Sequence, residues 1–578
     1  MKKKLSALLC LALTAVISLN ACTRLFSQDE NDAFLKFTAD LFRQEVSSSA
    51  ITLHYTLKYP EKYGVENTPV TLGAYTADPT ALSASCENTL AVLDSFRRQK
   101  LSRENRLTYD VLRSYLTESL HAVPFALYEE PLSPLTGVQS QLPILLSEYP
   151  FYSDEDIDSY LALISDMPEH FASLIAFEKE KSKAGLFMSS RCAQDIIEEC
   201  SSFASMGDSH YLFSSFQERL ETVPDLSKQQ KEAYISQHQK LVNENIFPSY
   251  RKLSAAMAAL KNTGKNQNGL CYYPNGKAYY EYIVHRDTGS SRSVSDLQDL
   301  TKSQMAEDLT AMQSVLIKSS KTGESSGGST VKLTLENTDP LVILDSLKEK
   351  CSGDFPALPD VNIQVKQVQA EMEDYLSPAF FMVPAIDDTD DNVIYINEGH
   401  LPDDLTLYTT LAHEGYPGHL YQNVYYASTN PDPIRNLLDW GGYTEGWATY
   451  VEMISYYYSA LDTQQAVLAQ RNASVILGLY ALADMGIHYD GWSLAETVSF
   501  FRNFGITDTQ TIQDIYDLIL GDPGNYLKYY IGYVEFLELK KTAIEKWGDS
   551  FTQERFHKAV LDTGPAPFEI VEKYALGE

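Results

Sequence analysis

Cysteine is scarce in this chain of 578 residues, which holds seven. Beyond the N-terminal segment only Cys86, Cys192, Cys200, Cys271 and Cys351 remain. That odd, widely spaced set carries no disulfide framework and no Cys-x-x-Cys pair, so thiolate ligation of a metal is not expected. Basic residues are also short, with 46 Lys and Arg against 78 Asp and Glu and a formal net charge of −32. A surface of that sign repels phosphate backbones and anionic headgroups, which argues against a nucleic-acid partner. No internal repeat is found. No Gly-x-Ser-x-Gly elbow, Walker loop or dinucleotide fingerprint competes with the motif described below, and no spacing indicates the paired carboxylates of a glycosidase.

What is present begins with an address. Lys2-Lys3-Lys4 precedes an apolar run from Leu5 to Val16, and Leu19-Asn20-Ala21-Cys22 follows. The run is short and closely followed by polar chain, so it reads as a secretory signal and not as a span. Leu-x-Ala-Cys resembles the lipobox of bacterial lipoproteins, which implies lipid on Cys22, a mature chain starting there, and membrane contact through that lipid outside the cytoplasm. Plain secretion is the alternative. Residues 1–21 are left out of the fold, and without their three lysines the formal charge moves from −32 to −35.

Apolar residues recur at spacings of three and four over long segments, among them 31–47, 156–180, 228–261 and 293–318, each bounded by Pro, Gly, Ser or Asp. A mainly α body is therefore expected. The Ser/Gly-rich stretch 319–330 reads as a flexible connection. The expected organisation is a signal over 1–21, a lipidated tether over 22–30, an N-terminal helical region over 31–318, the connection over 319–330, and a catalytic region over 331–578. Short extended pieces are expected at 331–335 and 392–397. The second, lying just before the motif below, is a candidate edge strand for β-augmentation by a peptide, with an ordinary sheet strand as the alternative.

His413-Glu414-Gly415-Tyr416-Pro417-Gly418-His419 is followed by Glu445 within Gly442-Tyr443-Thr444-Glu445-Gly446-Trp447-Ala448. Two imidazoles and a carboxylate can hold Zn²⁺ with one position open for water, and Glu414 can take that water's proton. The usual zinc-peptidase helix carries its two His four residues apart, on one face. Here the separation is six, which on a straight helix leaves His419 roughly 120° off the shared face and about 9 Å along the axis. Pro417 changes this. It has no N–H and its ring collides with the carbonyl of His413, so the helix must kink, bulge or stop. Gly418 then permits backbone angles that a side chain forbids, and His419 can return to the metal. A capped helix start with polar core contacts is the bland alternative, but buried imidazoles need partners. A second helix is expected over 443–457, with Glu445, Ala448, Thr449 and Glu452 along one side. Glu452 is a candidate to orient a ligand His, against a plain solvated or paired carboxylate.

Residue by residue, this region resembles the bacterial family called domain of unknown function 885, whose hallmark is His-Glu-x-x-Pro-Gly-His with a downstream Glu-Gly-Trp-Ala. The likeness covers most of the mature chain and is strongest from about Pro378 onward. It includes Pro274-Asn275-Gly276 with Tyr279-Tyr280, Asp484-Met485-Gly486-Ile487-His488, Tyr529-Tyr530-Ile531-Gly532, and Phe556-His557 with Gly564. That family looks distantly related to the helical zinc peptidases typified by thimet oligopeptidase, carboxypeptidase Taq and angiotensin-converting enzyme. The resemblance implies a large helical body with a small sheet near the cleft, His413, His419 and Glu445 as zinc ligands, and Glu414 as general base. By analogy with the angiotensin-converting-enzyme-like peptidases, His488 and Tyr529 are the candidates to stabilise an oxyanion. Tyr530 competes for the place of Tyr529, and packing is the plain reading of each. Should His419 fail to reach the metal, His488 or His400 is the replacement.

Tyr416, Tyr421, Tyr425, Tyr426, Trp440, Tyr443, Trp447 and Tyr450 crowd the motif and suggest a cleft with apolar walls. The expected function is a surface-anchored zinc metallopeptidase acting on short peptides. A peptide-binding lipoprotein without catalysis and a metal-dependent amidase of cell-wall peptides are the alternatives. Cleavage position and oligomeric state are not encoded in any motif.

Overall fold

The computed structural model describes residues 29–66, 68–322, 331–368, 373 and 376–577. The signal, Cys22 and nearly all of the tether lie outside the described residues, as does 323–330 of the expected connection. The body is mainly α, and helices form where the apolar spacing places them, at Glu30–Val46, Asp154–Ala184 and Val294–Thr322. The last runs on into the segment read as a connection. Segment 228–261 is helical throughout but changes pitch, as Lys228–Leu241, one π turn over Val242–Ile246, and Phe247–Leu260. Pro248 has no N–H to continue the ladder, which is where a wider turn is tolerated. The expected strand at 331–335 does not form. Its Leu335 N–H is held at 2.9 Å by the Asp404 carboxylate instead of by a neighbouring strand.

Three strands make a small sheet, β1 (Asn362–Gln367), β2 (Ala379–Met382) and β3 (Asp391–Ile396), in the order β1-β3-β2. β1 runs parallel and β2 antiparallel to β3. The segment read as a candidate edge, β3, is the central strand and is paired on both sides, so the alternative of an ordinary sheet strand holds. The edge nearest the functional region is β2. Its residues alternate, with Ala379 and Phe381 facing the larger of two buried cores while Phe380 and Met382 pack on the smaller. The sheet therefore lies between the cores, which fits its mostly buried central strand.

The larger core draws on both sides of 319–330, combining Phe34, Leu112, Tyr280 and Leu297 with Leu411, Trp447, Leu479 and Ile531. The smaller core comes mainly from residues 50–257, such as Tyr160, Leu174, Phe216 and Leu253. One buried acid stands out there. Glu178 is fully buried with neither carboxylate oxygen hydrogen-bonded, near the Lys181–Glu130 ion pair. Burial pushes its pKa up to about 8, so its contribution to stability is complete below the ordinary carboxylate range and is lost as pH rises through that value. Glu178→Gln should therefore raise the melting temperature by an amount that grows between pH 6 and pH 9. A difference constant with pH would contradict this account.

Candidate metal centre

Helix α1 (Asp404–Glu414) opens on the Asp403 carboxylate, which accepts the Thr406 N–H at 2.8 Å, and ends at Glu414. Pro417 stops the helix as expected. The chain leaves through Gly415–Gly418, with a cis Tyr416–Pro417 peptide, and restarts as α2 (His419–Ser428). The return is close: a Cβ on Gly418 would lie 1.8 Å from the His413 carbonyl oxygen and 2.4 Å from that of Ala412. Only glycine fits there. Trp447 Nε1 donates to the Pro417 carbonyl at 3.0 Å and pins the turn from the next helix.

That next helix, α3 (Gly441–Ser455), crosses α4 (Leu527–Trp547) backbone against backbone. A Cβ on Gly446 would lie 2.4 Å from the Gly532 carbonyl carbon, and one on Gly532 would lie 2.2 Å from the Gly442 oxygen. The crossing sets Glu445 of α3 beside Tyr529 of α4. Upstream, Asp484 accepts the Tyr280 hydroxyl at 2.5 Å and the Gly524 N–H at 3.0 Å, which anchors the loop entering α4.

These constraints bring three donors to one point. His419 Nε2 lies 3.0 Å and His413 Nε2 3.6 Å from Glu445 Oε2, and the three ligand atoms lie within 4.8 Å of one another. Tetrahedral zinc at about 2.0–2.2 Å from each ligand separates donors by about 3.3 Å, so this set fits the ion with small rotations. The charges agree. Burial alone would lower the His413 pKa, but hydrogen bonds to Glu445 and Glu452 and the charge of Glu414 carry it up to about 10. The pocket thus favours positive charge.

Glu452 Oε2 meets His413 Nδ1 at 3.0 Å, seven residues along α3 from Glu445 and on the same face. It fixes the ring so that Nε2 faces the other donors. Glu452→Ala should weaken metal affinity by roughly 10–100-fold without abolishing binding, as read by competition with a chelator. Unchanged affinity would leave Glu452 no part in the site.

Glu414 stands at the end of α1 with Oε2 accepting the Phe381 N–H of β2 at 2.8 Å. The Pro378 carbonyl accepts from Asn397 N, so alternate backbone groups, those of Ala379 and Phe381, face away from β3. Pro378, Ala379, Phe381 and Glu414 border one cavity of about 1150 Å³ with His413, His419, Glu445 and Glu452. Tyr529 joins them, its ring 6.4 Å from that of His413 and its hydroxyl bonded to Glu445. Burial, with the Glu445 and Glu414 charges, holds the phenol well above its usual pKa, so it remains a neutral donor.

His488 does not join the site. It is buried elsewhere, its Nδ1 accepting the Leu270 N–H at 3.2 Å and its Nε2 bonded to the Ile519 carbonyl at 2.9 Å. Burial lowers its pKa to about 4, and both nitrogens are spent on holding segments together. Tyr530 faces the other way, toward Asp308 and Ser474, and His400 is exposed at the cavity rim outside the ligand cluster. Of the eight aromatics expected to wall a cleft, Tyr426, Trp440 and Tyr443 border the cavity, the last two while also belonging to the larger core, whereas Tyr416, Tyr421, Tyr425, Trp447 and Tyr450 lie in the core alone. The Phe381 contact was missed because nothing in 379–382 distinguishes an edge from a central strand. The Trp447 anchor had a signal, its fixed place after the ligand Glu.

A family model described as bacterial protein of unknown function (DUF885) matches residues 71–574. Among solved structures, a candidate lipoprotein from Colwellia psychrerythraea superposes with a TM-score of 0.81 at 19% identity, covering 95% of this chain and 98% of its own. A candidate lipoprotein of unknown function from Shewanella oneidensis gives 0.63 at 15% identity, covering 94% and 98%. At those identities the likeness concerns the fold. No curated protein matches the chain.

Proposed function

The chain belongs to the DUF885 family of bacterial proteins, and we propose that it is an exported, lipid-anchored metallopeptidase that hydrolyses short peptides. The carrying observation is the convergence of His413, His419 and Glu445, with Glu414 adjacent, in one large cavity beside an edge strand. The lipobox-like Leu-x-Ala-Cys and the description of both structural relatives as candidate lipoproteins support the export and anchoring.

His413, His419 and Glu445 would hold the cation, zinc by donor set, and when bound it supplies Lewis acidity toward a peptide carbonyl and toward water. The chain's own groups do the rest. With one Glu414 oxygen fixed by Phe381 N–H, the other is left to accept a proton and return it to the departing amine. With Glu445 engaged by the cation, Tyr529 would turn its hydroxyl from that carboxylate to negative charge developing on the carbonyl oxygen. Of the backbone groups of β2 that face away from β3, the Phe381 N–H is held by Glu414, and those of Ala379 with the Phe381 carbonyl would offer an extended peptide a short edge to pair with.

A purely binding role explains the Glu414 oxygen that holds Phe381 N–H but leaves the other without a purpose, since a receptor needs no base beside its metal. A mixed library of short peptides that includes cell-wall peptides separates peptidase from amidase. Incubated with zinc-loaded protein and analysed by mass, it should yield fragments that vanish with chelator. No fragments from any substrate would reject hydrolysis.

A further inference from the structure

The sheet ends on two edges, β2 beside the metal centre and β1 on the opposite side. β1 pairs with β3 alone. The Asn362 N–H donates to the Asp390 carbonyl at 3.0 Å and the Val368 N–H to that of Ile396 at 2.8 Å, so alternation turns the even-numbered residues' backbone groups toward β3. Those of Val361, Ile363, Val365 and Gln367 face outward. Among the described residues no hydrogen bond reaches any of these outward groups. Asn362, Gln364, Lys366 and Gln367 are exposed, while Val361, Ile363 and Val365 pack half-buried against the larger core. Such an open edge is a template for another strand, and native folds rarely leave one unguarded.

The charges on this edge say what fits it. Lys366 leans over the Tyr395 ring at 5.8 Å and its charge is felt by Glu148, which is bonded to the Tyr395 hydroxyl, but it makes no ion pair among the described residues. Asp360 stands fully exposed just before the strand. Its contact with Lys348, at 3.5 Å between exposed groups, holds it weakly. If two copies of β1 run antiparallel about a two-fold axis at Ile363, Asp360 of each lies opposite Lys366 of the other. An axis at Gln364 sets Lys366 against Asn362, and one at Val365 sets it against Gln364, so the register centred on Ile363 is the one that matches charge with charge. The rest of that register agrees. Val361 faces Val365 of the second copy and Ile363 faces Ile363, each pair able to exchange two N–H···O bonds, while Asn362 meets Gln364 on the polar side. Pro359, which has no N–H, closes the ladder at its end.

We infer that the chain forms a symmetric dimer through this edge, β1 pairing antiparallel with β1 of a second copy so that two three-stranded sheets become one of six strands. The two β2 edges then lie at the outer margins of the joined sheet, and each metal centre keeps its own. The inference is independent of the peptidase reading.

The test is the oligomeric state. The full chain as purified, in a density-matched detergent, is followed by sedimentation velocity over a range of concentrations at about 0.15 M salt, where a Debye length of about 8 Å screens the repulsion between two acidic copies. Wild type should show a concentration-dependent dimer. Lys366→Asp and Asp360→Lys should each weaken it by roughly tenfold, since each sets like charges opposite one another at two symmetric positions. The double variant Asp360→Lys/Lys366→Asp should restore it, because the two charges only exchange places. Val365→Pro removes an outward N–H without touching the ladder to β3 and should abolish the dimer. The circular-dichroism spectrum of every variant should match wild type, and the charge variants, at exposed positions, keep the test open if the proline variant misfolds. A monomer at every concentration overturns the proposal. Dimers indifferent to the proline and to both charge reversals overturn it by placing the interface elsewhere, and single reversals that the double variant does not rescue overturn the register.

Discussion

His419→Ala is expected to empty the metal centre. Wild-type protein should carry about one zinc per chain, and the variant should lose most of it on dialysis, as read by elemental analysis. The expectation is severe because the proposed site offers three protein ligands among the described residues, and even groups one step removed from a metal are worth 10–100-fold in affinity. It is also specific to the unusual spacing. His419 reaches Glu445 Oε2 at 3.0 Å only because the chain doubles back between Glu414 and Gly418. The circular-dichroism spectrum of the alanine variant should match wild type, which separates loss of metal from loss of fold. Stoichiometric zinc after the substitution would transfer ligation to another group, and the assignment of this triad would fail.

Glu414→Gln should separate binding from turnover. Its amide oxygen can still accept the Phe381 N–H, so the 2.8 Å contact that places β2 is preserved, and the three ligands are untouched. What is lost is the ability to take up a proton, and general-base removal of this kind costs on the order of 10²–10⁴ in rate. Zinc content should match wild type while cleavage of the best library peptide falls by that factor. Equal turnover in the two proteins would dismiss Glu414 as the base.

Much of this arrangement was legible in the chain. The long helices followed from apolar spacing, and the stop at Pro417 followed from its missing N–H, which turned a six-residue separation from an objection into a geometry. Glu445 and Glu452 could be placed on one helix face because seven residues make two turns. Other parts were not legible. His488 was singled out by analogy and by its place in a shared motif, yet its environment is set by segments 218 and 31 residues away that spend both ring nitrogens. The rank of a strand within a sheet is likewise a long-range property, so β3 read from its own residues could pass for an edge. The aromatic crowding near the motif was real, but alternation between core and cavity depends on which neighbours arrive.

The bond from Phe381 N–H to Glu414 has a consequence for how occupancy is sensed. The backbone that would seat a ligand and the group that would handle its proton are tethered atom to atom. A guest that pairs with the strand would therefore load the same bond that aims the carboxylate.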